Sequence, residues 1–128
     1  MHKRYYFFFL IFTAISVWVF AVAGASRDFL SVYTLDVGQG DAIFIETPQR
    51  YQILIDGGPD ARVVSELGSV MSFWDRSIDL IVLTHPQEDH MFGLIEVLRR
   101  YDVANVMMTG VNYHTRTYEE FKKAVEKE

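Results

Sequence analysis

Apolar and polar positions fall into three successive patterns along the chain. From Tyr5 to Ser26, 22 residues carry no charge and are mostly aromatic, aliphatic or alanine. Such a run has no polar face, which predicts a membrane-engaging helix or an export signal rather than a helix on a domain core. Short strand-like segments follow. Phe29–Val37, Asp41–Thr47 and Tyr51–Ile55 are rich in β-branched and aromatic residues, with turns at Gly38-Gln39-Gly40 and Pro48-Gln49-Arg50. The third strand is stopped by Asp56-Gly57-Gly58-Pro59. Beyond it the period changes. Asp60 can cap a short helix in which Val63, Val64, Leu67 and Met71 keep helical spacing. Ile78–Leu83 reads as a buried strand, and Leu94, Ile95, Val97 and Leu98 mark the next helix. The strand Asn105–Met108 follows, and then a last helix, Tyr118–Glu128, begun by Thr117 and carrying Phe121 and Val125 four residues apart. A β-meander followed by strand–helix alternation predicts a layered α/β domain over residues 29–128.

Length and composition limit what the domain can be. The chain has 128 residues, 50% of them hydrophobic, which is room for one domain. It has no cysteine, so disulfides and thiolate metal sites are excluded. At the N-terminus, Lys3 and Arg4 precede the apolar run, and Ala21-Val22-Ala23 and Ala23-Gly24-Ala25 both fit the small-residue cleavage pattern. Residues 1–25 are thus a signal peptide or a signal-anchor transmembrane helix, with the membrane met by residues 5–25. The basic flank keeps the N-terminus in the cytoplasm and sends the remainder outside.

Residues 1–25 hold two of the 12 basic residues and none of the 17 acidic ones, so the remainder carries 10 − 17 = −7. That balance tells against a clamp held by non-specific phosphate contacts, which needs a basic face. It leaves open a site that takes a phosphodiester with metal help. The last helix runs to the final residue with no glycine or proline stop, which predicts a fragment or a domain whose second half is supplied elsewhere.

The chemistry is concentrated in Thr84-His85-Pro86-Gln87-Glu88-Asp89-His90, directly after the apolar strand. In layered α/β folds ligands collect at the carboxyl ends of strands. Pro86 stiffens the loop, and Asp89 and His90 lie at a helix start, where Asp89 can also serve as cap. Imidazole and carboxylate together suit zinc, manganese or ferrous iron. The pair His85 and His90 alone is a weak signal, since Glu88-Asp89 could be no more than helix-cap charge. His114, in the loop after Asn105–Met108, reads as an ordinary loop histidine.

These residues resemble the His-x-His-x-Asp-His loop of the metallo-β-lactamase superfamily. Leu35-Asp36-Val37-Gly38-Gln39-Gly40-Asp41-Ala42 and Leu54-Ile55-Asp56-Gly57-Gly58 stand at the matching places before it. The first of these, with Phe73-Trp74-Asp75-Arg76-Ser77-Ile78-Asp79-Leu80, is similar to the extracellular metallo-hydrolase domain of ComEC-like DNA-uptake (competence) proteins. The resemblance implies the first half of an αββα sandwich, with the remaining half beyond residue 128. It implies a hydrolase using one or two zinc ions, or manganese or iron, on a nucleic acid or other phosphodiester.

Carried over, His85 belongs to one metal, and Asp89 and His90 to a second. Asp89 also orients the attacking water and is the catalytic residue. Gln87 stands at a ligand position where the superfamily has histidine, and its amide oxygen is a weak zinc ligand, so that metal is expected to be held poorly. Glu88 is a possible replacement. Asp56 takes a supporting place beneath the metal loop or is a plain turn aspartate. Asp36 and Asp41 flank a turn that lies near the metal cleft or serves only a hairpin. Gln87 and the absent half also leave a second reading: a membrane-anchored domain that keeps the fold without catalysis.

Overall fold

Pairing of the central strands sets the frame. The computed structural model describes residues 2–23, 29–111 and 113–127, with the backbone alone for 2–4 and 21–23. Gly24 and Ala25 of the Ala23-Gly24-Ala25 cleavage pattern lie outside the described residues, as do the side chains of Lys3 and Arg4.

The N-terminal run forms helix α1 (His2–Ala23). Its described side chains, Tyr5–Phe20, are exposed apart from half-buried Thr13, and the Thr13 and Ser16 hydroxyls donate back to carbonyls one turn earlier. Among the described residues, no helix is long and apolar enough to cross a membrane.

Strands β1 (Ser31–Thr34), β2 (Ile43–Glu46) and β3 (Gln52–Ile55) form the antiparallel meander that the alternation predicts. Helix α2 (Arg62–Val70) then leads to β4 (Ser77–Ile78) and β5 (Leu80–Leu83), and β5 lies parallel to β3. Helix α3 (Glu88–Leu98) is followed by β6 (Asp102–Val103), β7 (Val106–Met108) and helix α4 (Arg116–Val125). The main sheet has the order β1-β2-β3-β5-β7, and β4 and β6 make a separate parallel pair.

Period-two alternation decides the faces. Phe44, Leu54, Ile81 and Leu83 are buried, whereas Ile43, Ile45, Ile53 and Val82 are half-buried. The buried face packs on Val63 and Leu67 of α2, Met91, Leu94 and Ile95 of α3, and Phe121 of α4, in one cluster. Each such side chain contributes about 2 kcal/mol by leaving water, so this layer holds the domain together. The other face is open, with a groove of about 850 Å³ along Tyr51, Ile53, Leu80 and Val106.

Four local details differ from the sequence reading. Helix α4 starts at Arg116, with Thr115 rather than Thr117 as its cap, and ends at Val125. The run Ile78–Leu83 is not one strand. Asp79 breaks it: its N–H donates to Gln52 O (3.0 Å), and its carboxylate accepts from Gln52 N (2.7 Å), which sends Ile78 to pair with Val103 instead. Helix α2 has Ala61 at its cap position, although the Asp60 carboxylate still accepts from Arg62 N at 2.9 Å. Helix α3 begins six residues before Leu94, the first apolar position that marks it, with Gln87 at the cap, so Asp89 lies inside the first turn and caps nothing.

Candidate metal centre

The two parallel strands β3 and β5 end side by side, and each is followed by a polar residue that the other holds. Asp56, after β3, donates its N–H to Val82 O (2.9 Å) and so extends the ladder by one bond. Its carboxylate then reaches across: Oδ1 accepts from Thr84 N (2.9 Å) and Oδ2 from Thr84 Oγ1 (2.6 Å). Asp56 is buried and has φ +57, in the left-handed region that aspartate tolerates better than most residues. The conformation turns its side chain beneath the loop that leaves β5.

That loop is short and stiff. Pro86 is buried, Gln87 N donates to His85 O, and Gln87 O accepts from His90 N and Met91 N as α3 begins. Glu88 and Asp89 place two carboxylates in the first turn, where the helix dipole favours them. Close backbone packing fixes the start of α3. A Cβ on Gly40 would stand 1.9 Å from Asp89 O, and one on Gly93 would stand 1.8 Å from Gly57 O. Neither position accommodates a side chain, so the turns at 38–41 and 56–58 lie directly against α3.

The result brings His85 and His90 together. Their ring centroids are 3.9 Å apart, and one ligand atom each from Asp56, His85 and His90 lie within 4.8 Å of one another. Ligands around a tetrahedral zinc stand about 3.4 Å apart, so the cluster has the size for a divalent ion without its final geometry. His90 Nδ1 is 2.9 Å from Asp56 Oδ2, and His85 Nδ1 is 2.9 Å from Thr84 Oγ1.

These contacts assign the tautomers. The Thr84 hydroxyl has one proton and gives it to the carboxylate, so it can only accept from His85 Nδ1–H. Asp56 likewise accepts from His90 Nδ1–H. Both imidazoles are left with an Nε2 lone pair that Asp56 does not engage, which is the form a metal binds. Asp56 already accepts three hydrogen bonds, so it serves better as the orienting group than as a ligand. A carboxylate ligand is available in half-buried Asp89, whose Oδ2 is 4.0 Å from His90 Nε2.

Other residues considered from sequence lie elsewhere. Gln87 is exposed. Glu88 turns to α4, accepting from Thr117 Oγ1 at 2.8 Å. His114 is exposed in its loop. The Asp36 and Asp41 side chains are exposed; Asp36 accepts from Gly38 N within the turn, and the Asp41 carbonyl accepts from Gly58 N. The turn they flank does lie beside the centre, through Gly40 against Asp89. Thr84 is the residue of the candidate centre that sequence reasoning passed over. Its signal was a hydroxyl placed between the end of a strand and the first histidine.

The family model of the metallo-beta-lactamase superfamily matches residues 35–128. The chain belongs to the metallo-beta-lactamase superfamily. Among solved structures it is similar to the Rm3 metallo-beta-lactamase, at 23% identity over 63% of this chain and 32% of that one, with a TM-score of 0.49. A Cronobacter sakazakii metallo-beta-lactamase with a HARLDQ motif shares 22% identity over 62% of this chain and 33% of that one, with a TM-score of 0.47. A substituted variant of the Cronobacter sakazakii protein shares 15% identity over 70% and 51%, with a TM-score of 0.48. The chain therefore spans about a third to a half of the length of these superfamily structures. A comparison with curated proteins gives no match.

Proposed function

We propose that this chain is a metal-dependent hydrolase domain, exported and ComEC-like, that acts on phosphodiesters. The observation that carries the reading is the Asp56–Thr84 arrangement, which fixes both histidines with Nε2 free. His85 and His90 with Asp89 would hold a zinc-class ion, and manganese or iron suits the same donors. Such an ion would supply Lewis acidity and bring the pKa of a water down toward neutrality. Asp89, beside His90 and half-buried, can orient that water and take its proton. Asp56 supports both rings from beneath and stays out of the chemistry. Export and membrane attachment rest on the basic-then-apolar sequence of residues 2–26, and phosphodiester chemistry rests on the ComEC-like segments.

A second reading has its own support. Gln87, exposed and offering only an amide oxygen, stands in the loop between His85 and His90. A membrane-anchored, metal-binding domain without turnover fits that loop. The test is hydrolysis of bis(p-nitrophenyl) phosphate by the purified chain with zinc or manganese. Turnover that disappears in His90→Ala supports the hydrolase. Stoichiometric metal without turnover supports the second reading, and absence of metal binding contradicts both. Export is tested separately by fusing a reporter active only outside the cytoplasm after residue 28; a silent fusion overturns it.

A further inference from the structure

Two aromatic rings stand at the tip of a tight turn, at the end of the sheet opposite the histidines. Asp75 N donates to Ser72 O at 2.9 Å, which closes the turn and leaves Phe73 and Trp74 as its two central residues. Such positions usually go to glycine, asparagine, aspartate or proline, which suit both the bent backbone and water. Here they carry the two most exposed of the large apolar side chains described outside α1, Phe73 at 81% and Trp74 at 73%. The rings meet edge to face, with centroids 4.7 Å apart.

The turn is held from below. The Asp75 carboxylate accepts from Gln52 Nε2 (2.6 Å) and from Ser77 N and Oγ (3.1 and 2.8 Å), and Gln52 begins β3. The pair is thus presented outward on a fixed base, with little freedom left to lose on binding. Single exposed apolar residues need no explanation, but a fixed aromatic pair at a turn tip calls for an apolar partner.

Position identifies the partner. Gln52 faces Glu46 across β2 and β3, and Glu46 faces Ser31 across β1 and β2. With neighbouring strands about 4.8 Å apart, the start of β1 is about 10 Å from Gln52. Phe29 and Leu30, both exposed, lead into β1 there. Ala23, the last residue of α1, is six positions before Phe29 and so within about 20 Å of it even along an extended chain. The apolar helix, the Phe29-Leu30 entry and the Phe73-Trp74 turn share one end of the domain. Charges at this end are turned aside. Asp75 and Asp79 accept from Gln52, Arg50 lies close enough for Asp75 to feel its charge, and the Arg76 guanidinium lies 5.5 Å from the centre of the Tyr101 ring. Asp102 is exposed at the flank, and the chain after residue 25 is net acidic, so an anionic surface is not favoured.

We infer that this end of the domain rests on the bilayer that α1 engages, with Phe73 and Trp74 seated at the headgroup level of zwitterionic lipid. Aromatic rings favour that depth, and the indole N–H of Trp74 finds acceptors there while its ring leaves water. The inference rests on the membrane attachment proposed above. It also sets the direction of the metal centre. Strands β3 and β5 run from this end to Asp56 and Thr84, so a sheet four residues long, about 13 Å, holds the histidines away from the lipid and open to solutes in water.

The test uses the full chain in phosphatidylcholine vesicles whose acyl chains are brominated near the glycerol end. The chain has two tryptophans, Trp18 in α1 and Trp74 in the turn. In Trp18→Phe, emission from Trp74 should lie at shorter wavelength than that of an indole in water, be quenched by the brominated lipid and resist acrylamide. Adding Phe73→Asp should undo all three and leave far-ultraviolet circular dichroism unchanged, because the Phe73 ring is outside the core. Trp74→Phe reports α1 separately through Trp18. If Trp18 is quenched by bromine while Trp74 stays open to acrylamide, the attachment stands and the seat is overturned. If neither indole is quenched, the attachment fails and the seat with it. A Trp74 shielded from acrylamide but untouched by bromine is covered by protein, which overturns the seat. Quenching that Phe73→Asp leaves unchanged overturns it as well.

Discussion

Asp56→Asn isolates the group on which the metal centre is built. Asparagine tolerates the left-handed backbone at φ +57 and has the same shape, so neither strain nor a cavity is introduced. What changes is the acceptor count. The carboxylate accepts from Thr84 N at 2.9 Å, Thr84 Oγ1 at 2.6 Å and His90 Nδ1 at 2.9 Å. If the amide oxygen takes the Oδ2 place, the NH2 faces Thr84 N, donor against donor. If it takes the Oδ1 place, the NH2 faces both Thr84 Oγ1 and His90 Nδ1. The first arrangement loses least, one bond to a charged acceptor, worth about 1.5–3 kcal/mol in a buried setting. The expected loss of stability is therefore about 2 kcal/mol or more. Metal affinity should fall by about 10–100-fold, because a neutral amide oxygen holds His90 Nδ1–H more weakly than the carboxylate and leaves Nε2 a poorer ligand. Urea unfolding gives the first number, zinc competition with a chelator the second, and imidazole nitrogen NMR reports the tautomers directly. If Asp56→Asn matches the parent in stability, zinc affinity and ring tautomer, the orienting role assigned to Asp56 is wrong.

Three further outcomes follow from the packing and charge around the centre. Gly93→Ala should destabilise by about 2 kcal/mol in urea unfolding: helix propensity favours alanine by about 1 kcal/mol, but the added Cβ meets Gly57 O at 1.8 Å and overpacking outweighs it. Glu96 is held below its ordinary pKa first by a hydrogen bond from Arg100 and then by the Arg100 and Arg99 charges, against burial. A depressed carboxylate stabilises above its unfolded pKa of about 4.3 and loses this as pH falls through the folded value. Glu96→Gln should thus cost stability at neutral pH, by under about 1 kcal/mol since the arginines are exposed, and match the parent near pH 2. In a longer protein carrying the second half of the fold, Gln87→His should raise bound zinc from about one ion per chain toward two, read by metal content after dialysis; an unchanged value makes Gln87 a bystander.

The positions of the elements were largely readable from period alone, because each half-buried strand and each helix face repeats its own spacing. The breaks were not. Asp79 sits inside an apolar run, and its role in ending one strand depends on Gln52, 27 residues earlier. β6 is two residues long and leaves no period to detect. The same limit applies at the centre. His85, Asp89 and His90 are close in sequence, and the strand before them directs them to the end of the sheet. The Asp56 contacts with Thr84 and His90 span 28 and 34 positions and arise only when β3 and β5 pair. The reach of Gly40 to Asp89 is equally non-local; sequence shows a turn there, and the fold sets it against α3.

The account rests on His85 and His90 forming a prepared metal site, and metal content tests it most directly. After loading with zinc and dialysis, the full chain should retain about one ion per molecule, the number its one described histidine cluster can hold. Cobalt in place of zinc should give the visible absorption of a tetrahedral nitrogen–oxygen site. His85→Ala and His90→Ala should each remove the ion while leaving the far-ultraviolet circular dichroism intact. A parent chain that retains no metal, or variants that retain as much as the parent, would contradict the account.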